Sequence, residues 1–240
     1  MLVSVVVPMM NEEGSLPVLE RELGMLAAGL DERGDELEVV LVDDGSTDRT
    51  AELATELCEP RANWRLLRHE RNRGFGAGLR TGVADTRGDI VLSYDADCAY
   101  PATDALKLVH EVTDRGVDIA SATPYAPGAE KDAPALRLLL SQGCSLAYRI
   151  ALRGRAQGVR TFTCAFRAYR GDLVRGLRWR ADGFLAAAEI LSRAVLSGAR
   201  VVEVPSSLRP RFAGVSKMRV WRTAVAHVGL VSRLAVGAGA

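Results

Sequence analysis

Two hydrophobic periods alternate along the first hundred residues. Near-continuous apolar runs rich in valine and leucine, Leu2–Val7, Glu38–Val42, Trp64–Arg68 and Ile90–Tyr94, have the length and composition of buried strands. Between them the apolar positions fall three and four apart. Leu16, Leu19, Leu23 and Leu26 mark one helix, with Ser15 as its candidate cap, and Ala51–Leu57 and Ala77–Ala84 mark two more. After residue 100 the pattern loosens. It predicts a helix over Asp104–Arg115, a strand over Val117–Ala122, a loop over Pro124–Ala133 and a helix over Pro134–Leu152. A strand follows over Thr161–Tyr169, then a helix over Gly183–Ser197 and a strand over Arg200–Val204. Strands alternating with helices in this way predict an α/β fold: a mostly parallel sheet covered by helices on both faces, in a single domain. In open sheets of that kind ligands gather at the carboxyl ends of the strands.

The polar clusters fall at those ends. The first strand runs into Pro8-Met9-Met10-Asn11-Glu12-Glu13, the second into Asp43-Asp44-Gly45-Ser46, and the fourth into Asp95-Ala96-Asp97. Alternate residues of an extended chain share a face, so Asp95 and Asp97 are expected to point toward one ligand. Two carboxylates so close repel unless a cation lies between them. A divalent ion holding the phosphates of a nucleotide meets that need, and a solvated acidic turn is the other reading. Asn72-Arg73-Gly74-Phe75-Gly76-Ala77-Gly78 is a glycine-rich entry to a helix, which lets backbone approach a ligand closely. It lacks the Gly-Lys-Ser/Thr of a phosphate-binding P-loop, and it does not follow the first strand as a dinucleotide fingerprint does.

Composition narrows the classes. A length of 240 residues with 48% hydrophobic and 25% charged side chains is globular, and a net charge of +1 gives no bulk attraction to nucleic acid. Cys58, Cys98, Cys144 and Cys164 form no Cys-x-x-Cys pair, which argues against a zinc site or a disulfide framework. No stretch approaches the roughly 18 apolar residues that span a bilayer, and the amino terminus reads as a strand rather than a leader. The expected location is therefore cytoplasmic. Residues 218–240 mix Val220, Trp221, Val225, Val228 and Leu230 with Arg219, Arg222 and Arg233, a pattern for a helix packed on the domain or lying on a membrane surface.

Val7-Pro8-x-x-Asn11-Glu12-Glu13, Val42-Asp43-Asp44-Gly45-Ser46-Thr47-Asp48, Asn72-x-Gly74-x-Gly76 and Asp95-Ala96-Asp97 occur in the order seen in inverting glycosyltransferase family 2, which has the GT-A (Rossmann-like) fold. Cys164–Arg170, Gly183-Phe184…Glu189 and Arg211-x-x-Gly214-x-Ser216-Lys217 resemble its dolichol-phosphate mannosyltransferase branch, which moves a sugar from a nucleotide donor to a polyprenyl phosphate. The resemblance implies a nucleotide-sugar-binding half over 1–98, an acceptor half over 99–217 and a C-terminal helix over 218–240. It implies that Pro8, Asn11 and Glu12 border the base and ribose, that Asp44 contacts the nucleoside, and that Asp95 and Asp97 hold Mg²⁺ or Mn²⁺ on the donor diphosphate. Arg211, Ser216 and Lys217 would face the acceptor phosphate, with Asp97, Arg211 and Lys217 serving the transfer itself. Arg137, Arg167 and Arg170 are further candidates for that phosphate. A lipid acceptor would put the protein peripherally at the inner face of the membrane.

The chain departs from the branch at Ala99, at Thr123-Pro124-Tyr125 and at Leu208, which removes an arginine and an aromatic usual there. Those departures bear on the acceptor. A soluble hydroxyl acceptor stays open, with Glu189 or Asp182 as base, because a hydroxyl must lose a proton as it attacks. So does a nucleotide-binding module that has lost its chemistry.

Overall fold

The computed structural model describes residues 1–125, 135–206, 209 and 220–237, with backbone alone for 135–138 and 220–222. Its spine is a seven-stranded sheet in the order β3-β2-β1-β4-β6-β5-β7. In chain order these are β1 (Leu2–Met9), β2 (Glu36–Asp43), β3 (Trp64–Arg68), β4 (Ile90–Ser93), β5 (Ile119–Thr123), β6 (Arg167–Arg170) and β7 (Val201–Pro205). β6 alone runs antiparallel to its neighbours, β4 and β5. The expected α/β architecture is present.

Side chains that alternate along β1 and β2 feed two separate cores. Val3, Val5, Val7, Val39 and Leu41 pack on one face against α1 (Leu16–Asp31) and α4 (Ala102–Asp114), with α2 (Thr50–Cys58) toward the β3 edge. Val6, Val40 and Val42 face the other way, toward α3 (Phe75–Asp85). That second layer also contains α5 (Ala135–Ala151), α6 (Gly171–Gly176), α7 (Ala186–Leu196) and α8 (Val220–Ala235). Two-sided burial explains why these strands read as unbroken apolar runs rather than as an alternation.

The sequence-based expectations need three corrections. Ser15 precedes α1 as foreseen but makes no capping bond; its Oγ donates to Glu12 Oε2 at 3.0 Å. The strand expected over Thr161–Tyr169 is only four residues long, Arg167–Arg170. Ahead of it, the amides of Arg160 and Thr161 both donate to Glu203 Oε1 at 2.6 Å and that of Phe162 donates to Ser145 Oγ at 3.1 Å. Side chains thus take the donors that a sheet ladder would have used. Helix α6 also went unforeseen, being too short at six residues to show a period.

Helices α5 and α8 pack on each other, and Tyr148 is the clasp. Its phenol lies 2.8 Å from His227 Nδ1, with the two rings edge to face at 5.7 Å. Burial depresses the His227 pKa, so the folded state favours the neutral ring. The unfolded chain then takes up the proton first as pH falls. This contribution to stability is complete above the ordinary histidine pKa of about 6.5 and is lost on acidification below it. Thermal melts of wild type and His227→Gln between pH 8 and 5 should show this acid loss in the wild type and a flatter profile in the variant. Parallel profiles would show that His227 does not couple α8 to pH.

Candidate active site

The register of the central strands sets the site. Pro8 pairs with Val42 and Met9 with Asp43, while Val6 pairs with Ser93, so the loops leaving β1, β2 and β4 emerge side by side at one edge. The first two are laced together. Asn11, in the left-handed region at φ 52°, donates its amide to Ser46 Oγ at 2.9 Å and accepts the Thr47 amide on Oδ1 at 2.8 Å. The Glu12 amide donates to Thr50 Oγ1 at 2.7 Å. Pro8 lies under α3, where a β-carbon added at Gly78 would come 3.2 Å from the Pro8 Cβ. Asn11 and Glu12 are thus tied to the loop that leaves β2, while Pro8 lies near the end of β1 against α3.

Asp43 and Asp44 are both buried but differ in role. Asp43 Oδ1 accepts the Ser46 amide at 3.2 Å, closing the turn. Its Oδ2 is buried without a hydrogen bond, 3.6 Å from Arg68 Nε. Asp44 reaches across to the glycine-rich segment, accepting the amides of Arg73 at 2.9 Å and Gly74 at 2.7 Å, with His69 Nδ1 at 2.6 Å. Gly74 has φ 100°, a conformation that favours glycine, and a side chain there would strike the Asp182 carbonyl. The link to His69 was invisible in the sequence. A histidine 25 positions from its carboxylate acquires meaning only when β2 and β3 pair.

Asp95 and Asp97 sit beyond the end of β4, on a turn rather than on the strand. Strand alternation therefore does not aim them. The Cys98 amide donates to the Asp95 carbonyl at 3.1 Å and the Ala99 amide to Asp97 Oδ1 at 3.2 Å. Both carboxylates are half-buried, and the chain on either side of them contributes to an aromatic cluster. Tyr94 donates to the Tyr100 carbonyl at 2.6 Å, and Phe166 stacks on Tyr100 with centroids 4.9 Å apart. Burial, reinforced by the charges of Glu22, Asp97 and Asp95, pushes the Cys98 thiol up to about 12, so it stays protonated and is no nucleophile. Among the described residues no group of three or more His, Cys, Asp or Glu is placed to hold a metal. Two neighbouring carboxylates do suit Mg²⁺ or Mn²⁺, which commonly take one or two protein oxygens and complete their shell with phosphate and water.

Arg211, Ser216 and Lys217 lie outside the described residues, as does the side chain of Arg137. Nearby, the Arg209 amide donates to the Ala99 carbonyl at 2.9 Å, two residues past Asp97. The two candidate bases are engaged. Glu189 is buried, accepting the amides of Arg180 at 3.1 Å and Ala181 at 2.8 Å on one oxygen and pairing with Arg193 at 2.9 Å on the other. Asp182 is exposed and pairs with Arg80 at 2.6 Å.

Known proteins resemble the chain in sequence and in fold. The model of glycosyl transferase family 2 matches residues 4–178, and the chain belongs to that family. It is 32% identical to the dolichol-phosphate mannosyltransferase of Pyrococcus furiosus over 91% of its own length and 60% of the relative's. It is 34% identical to the undecaprenyl-phosphate 4-deoxy-4-formamido-L-arabinose transferase of Pectobacterium carotovorum, covering 73% of this chain and 50% of that one. The chain thus spans about half to three fifths of these two relatives. A polyprenol monophosphomannose synthase from Mycolicibacterium smegmatis is 29% identical, with 89% and 80% covered. Among solved structures, glucosyl-3-phosphoglycerate synthase from Mycobacterium tuberculosis superposes with a TM-score of 0.75 at 20% identity, covering 98% of this chain and 80% of that one. The fold is GT-A.

Two arginines offered for the acceptor phosphate are committed elsewhere. Arg170 pairs with Asp118 and with Asp172, at the end of β6 that lies beside Ile90, across the sheet from Asp97. Arg167 is fully buried and spends its donors on protein: Ser121 Oγ at 3.0 Å, the carbonyls of Phe162 at 2.9 Å and Thr161 at 3.4 Å, and that of Ala187. It ties β6, β5, α7 and the segment at Thr161 and Phe162, whose ring stacks on Tyr148, into one unit. Arg167→Met would strand three carbonyls, so urea unfolding should show a loss of about 2–4 kcal/mol, partly recovered in Arg167→Lys. Undiminished stability in Arg167→Met would mean that the guanidinium anchors nothing.

Proposed function

We propose that this family 2 glycosyltransferase moves a sugar from a nucleotide-sugar donor to a polyprenyl phosphate, with inversion and with Mg²⁺ or Mn²⁺. The curated relatives are named for transfer to dolichol phosphate and undecaprenyl phosphate. The M. tuberculosis structures contain UDP with Mn²⁺ or Mg²⁺. The observation that carries the acceptor assignment is the naming of the curated relatives, and the buried Glu189, held by two amides and Arg193, is in keeping with it. A hydroxyl acceptor needs a base to take its proton, whereas a phosphate is already anionic and needs only placement and charge compensation.

In this reading Pro8, Asn11 and Glu12 seat the base and ribose, and Asp44 contacts the nucleoside from the β2 end. Asp95 and Asp97 would hold the cation, which offsets the charge that develops on the leaving diphosphate. An oxygen of the acceptor phosphate attacks the anomeric carbon from the face opposite the diphosphate. The bond to the diphosphate oxygen breaks as the new one forms, so an α-linked donor gives a β-linked product. Arg211 and Lys217 supply the cationic contacts to the acceptor, with Ser216 beside them. Residues 1–98 would then form the donor half and 99–217 the acceptor half.

The α5–α8 face supports a peripheral membrane contact. Leu139, Leu146 and Ile150 of α5 and Val225 and Val228 of α8 are exposed. No Asp or Glu occurs between Asp132 and Asp172, a stretch with seven arginines, nor after Glu203, where five arginines and a lysine follow. Exposed aliphatic groups within acid-free, arginine-bearing segments suit an anionic lipid surface. No helix among the described residues is long and apolar enough to cross a membrane.

Transfer from a panel of nucleotide sugars to a short polyprenyl phosphate, followed by release of diphosphate, tests the whole reading. Asp97→Ala and EDTA should each abolish measurable transfer, a loss of several kcal/mol of transition-state stabilisation. Undiminished transfer in both would remove the metal assignment. Arg211→Ala and Lys217→Ala should slow transfer by about 2–5 kcal/mol while donor affinity is kept. Unchanged rates in both variants would return the hydroxyl acceptor to first place.

A further inference from the structure

An ionised carboxylate offers about four acceptor positions, two on each oxygen. On Asp44 Oδ1 both are taken, one by the Arg73 amide at 2.9 Å and one by His69 Nδ1 at 2.6 Å. On Oδ2 one is taken, by the Gly74 amide at 2.7 Å. Among the described residues' contacts, a single acceptor position is left on the residue assigned to the nucleoside. Because a carboxylate only accepts, the proton between Asp44 and His69 belongs to Nδ1. The ring is held from its far side too, with Nε2 2.9 Å from Thr81 Oγ1 of α3. His69 and Asp44 side chains are 5% and 4% exposed, so water does not compete for either position.

We infer that His69 is a positioning residue that fixes the base specificity of the donor. By filling the second position on Oδ1 it leaves Asp44 able to accept one N–H and no more. Uracil presents one ring N–H between two carbonyls and is matched. Guanine presents adjacent N1–H and N2–H donors, and a carboxylate can satisfy the pair only by offering one position on each oxygen. One guanine donor would be buried unpaired, and that cost is what a specific polar site uses to reject an analogue. The donor is therefore a uridine rather than a guanosine diphosphate sugar. This rests on the reading of Asp44 as the nucleoside contact.

Calorimetry with UDP and GDP on the full chain tests it, the measured quantity being the ratio of the two affinities. Wild type should bind UDP about tenfold or more tightly than GDP. In His69→Ala the position on Oδ1 opens and the ratio should fall severalfold toward unity. In His69→Gln the side-chain amide can donate to Oδ1 in place of Nδ1, and the preference for UDP should persist. Loosening of the loop without change of specificity would weaken both nucleotides by the same factor and leave the ratio intact. An intact ratio in His69→Ala overturns the inference, as does wild-type affinity for GDP equal to or above that for UDP. Asp44→Ala separates the two levels: it should weaken both nucleotides and erase the preference. Unchanged affinities in that variant would remove the nucleoside contact itself, and the inference with it.

Discussion

The site depends on β1 being hydrogen-bonded on both sides in parallel. Its pairing with β2 and β4 brings three outgoing loops to one edge, although Asn11, Asp44 and Asp97 lie far apart in sequence. Parallel strands need crossover helices, and those helices bury both sheet faces, so valine and leucine fill most positions of β1 and β2. Polar groups are left to gather at the rim, where α3 closes one side through Gly78 over Pro8. Hydrophobic layering and chemical site are two results of one register.

The first half was legible because each of its strands is a compact apolar run that ends in a polar cluster, and periodicity reads both. The second half was less so. Residues 159–166 carry apolar Val159, Phe162 and Phe166 at the density of a strand, yet Glu203 and Ser145 take the backbone donors and hold the segment off the sheet. Such a decision belongs to tertiary partners, not to local preference. Arg167 shows the same limit for chemistry. An arginine near a suspected phosphate reads as a ligand, but its full burial among carbonyls could be known only once β5, β6 and α7 were placed. For Asp95 and Asp97 the motif was plain in the sequence, while its place on a turn beyond β4 was not.

Charge is handled differently at the two depths of the second half. Arg167 lies in the interior with carbonyl and hydroxyl oxygens as its acceptors. Neighbouring Glu203 titrates high because burial penalises its charge more than two backbone amides and Arg167 relieve it. Outside, the α5 and α8 surface carries arginines with no acid on either helix. A net charge of +1 for the whole chain conceals that separation, which is why bulk charge said so little about partners.

The seam between the glycine-rich entry and the segment ahead of α7 is a close one. Added β-carbons at Gly74 and Gly76 would fall 2.5 Å from the Asp182 carbonyl and 2.3 Å from that of Ala181. The Ala77 amide donates to the former at 3.1 Å, and Trp179 Nε1 donates to Gly76 at 3.1 Å. Backbone here lies directly on backbone, flanked by the stacked rings of Phe75 and Phe184 and by the Arg80–Asp182 pair. A hinge needs residues able to absorb a change in dihedral angle, or packed surfaces able to slide. Contact this close leaves little room for sliding, so the glycine-rich entry and the segment ahead of α7 are held against each other as one packed unit.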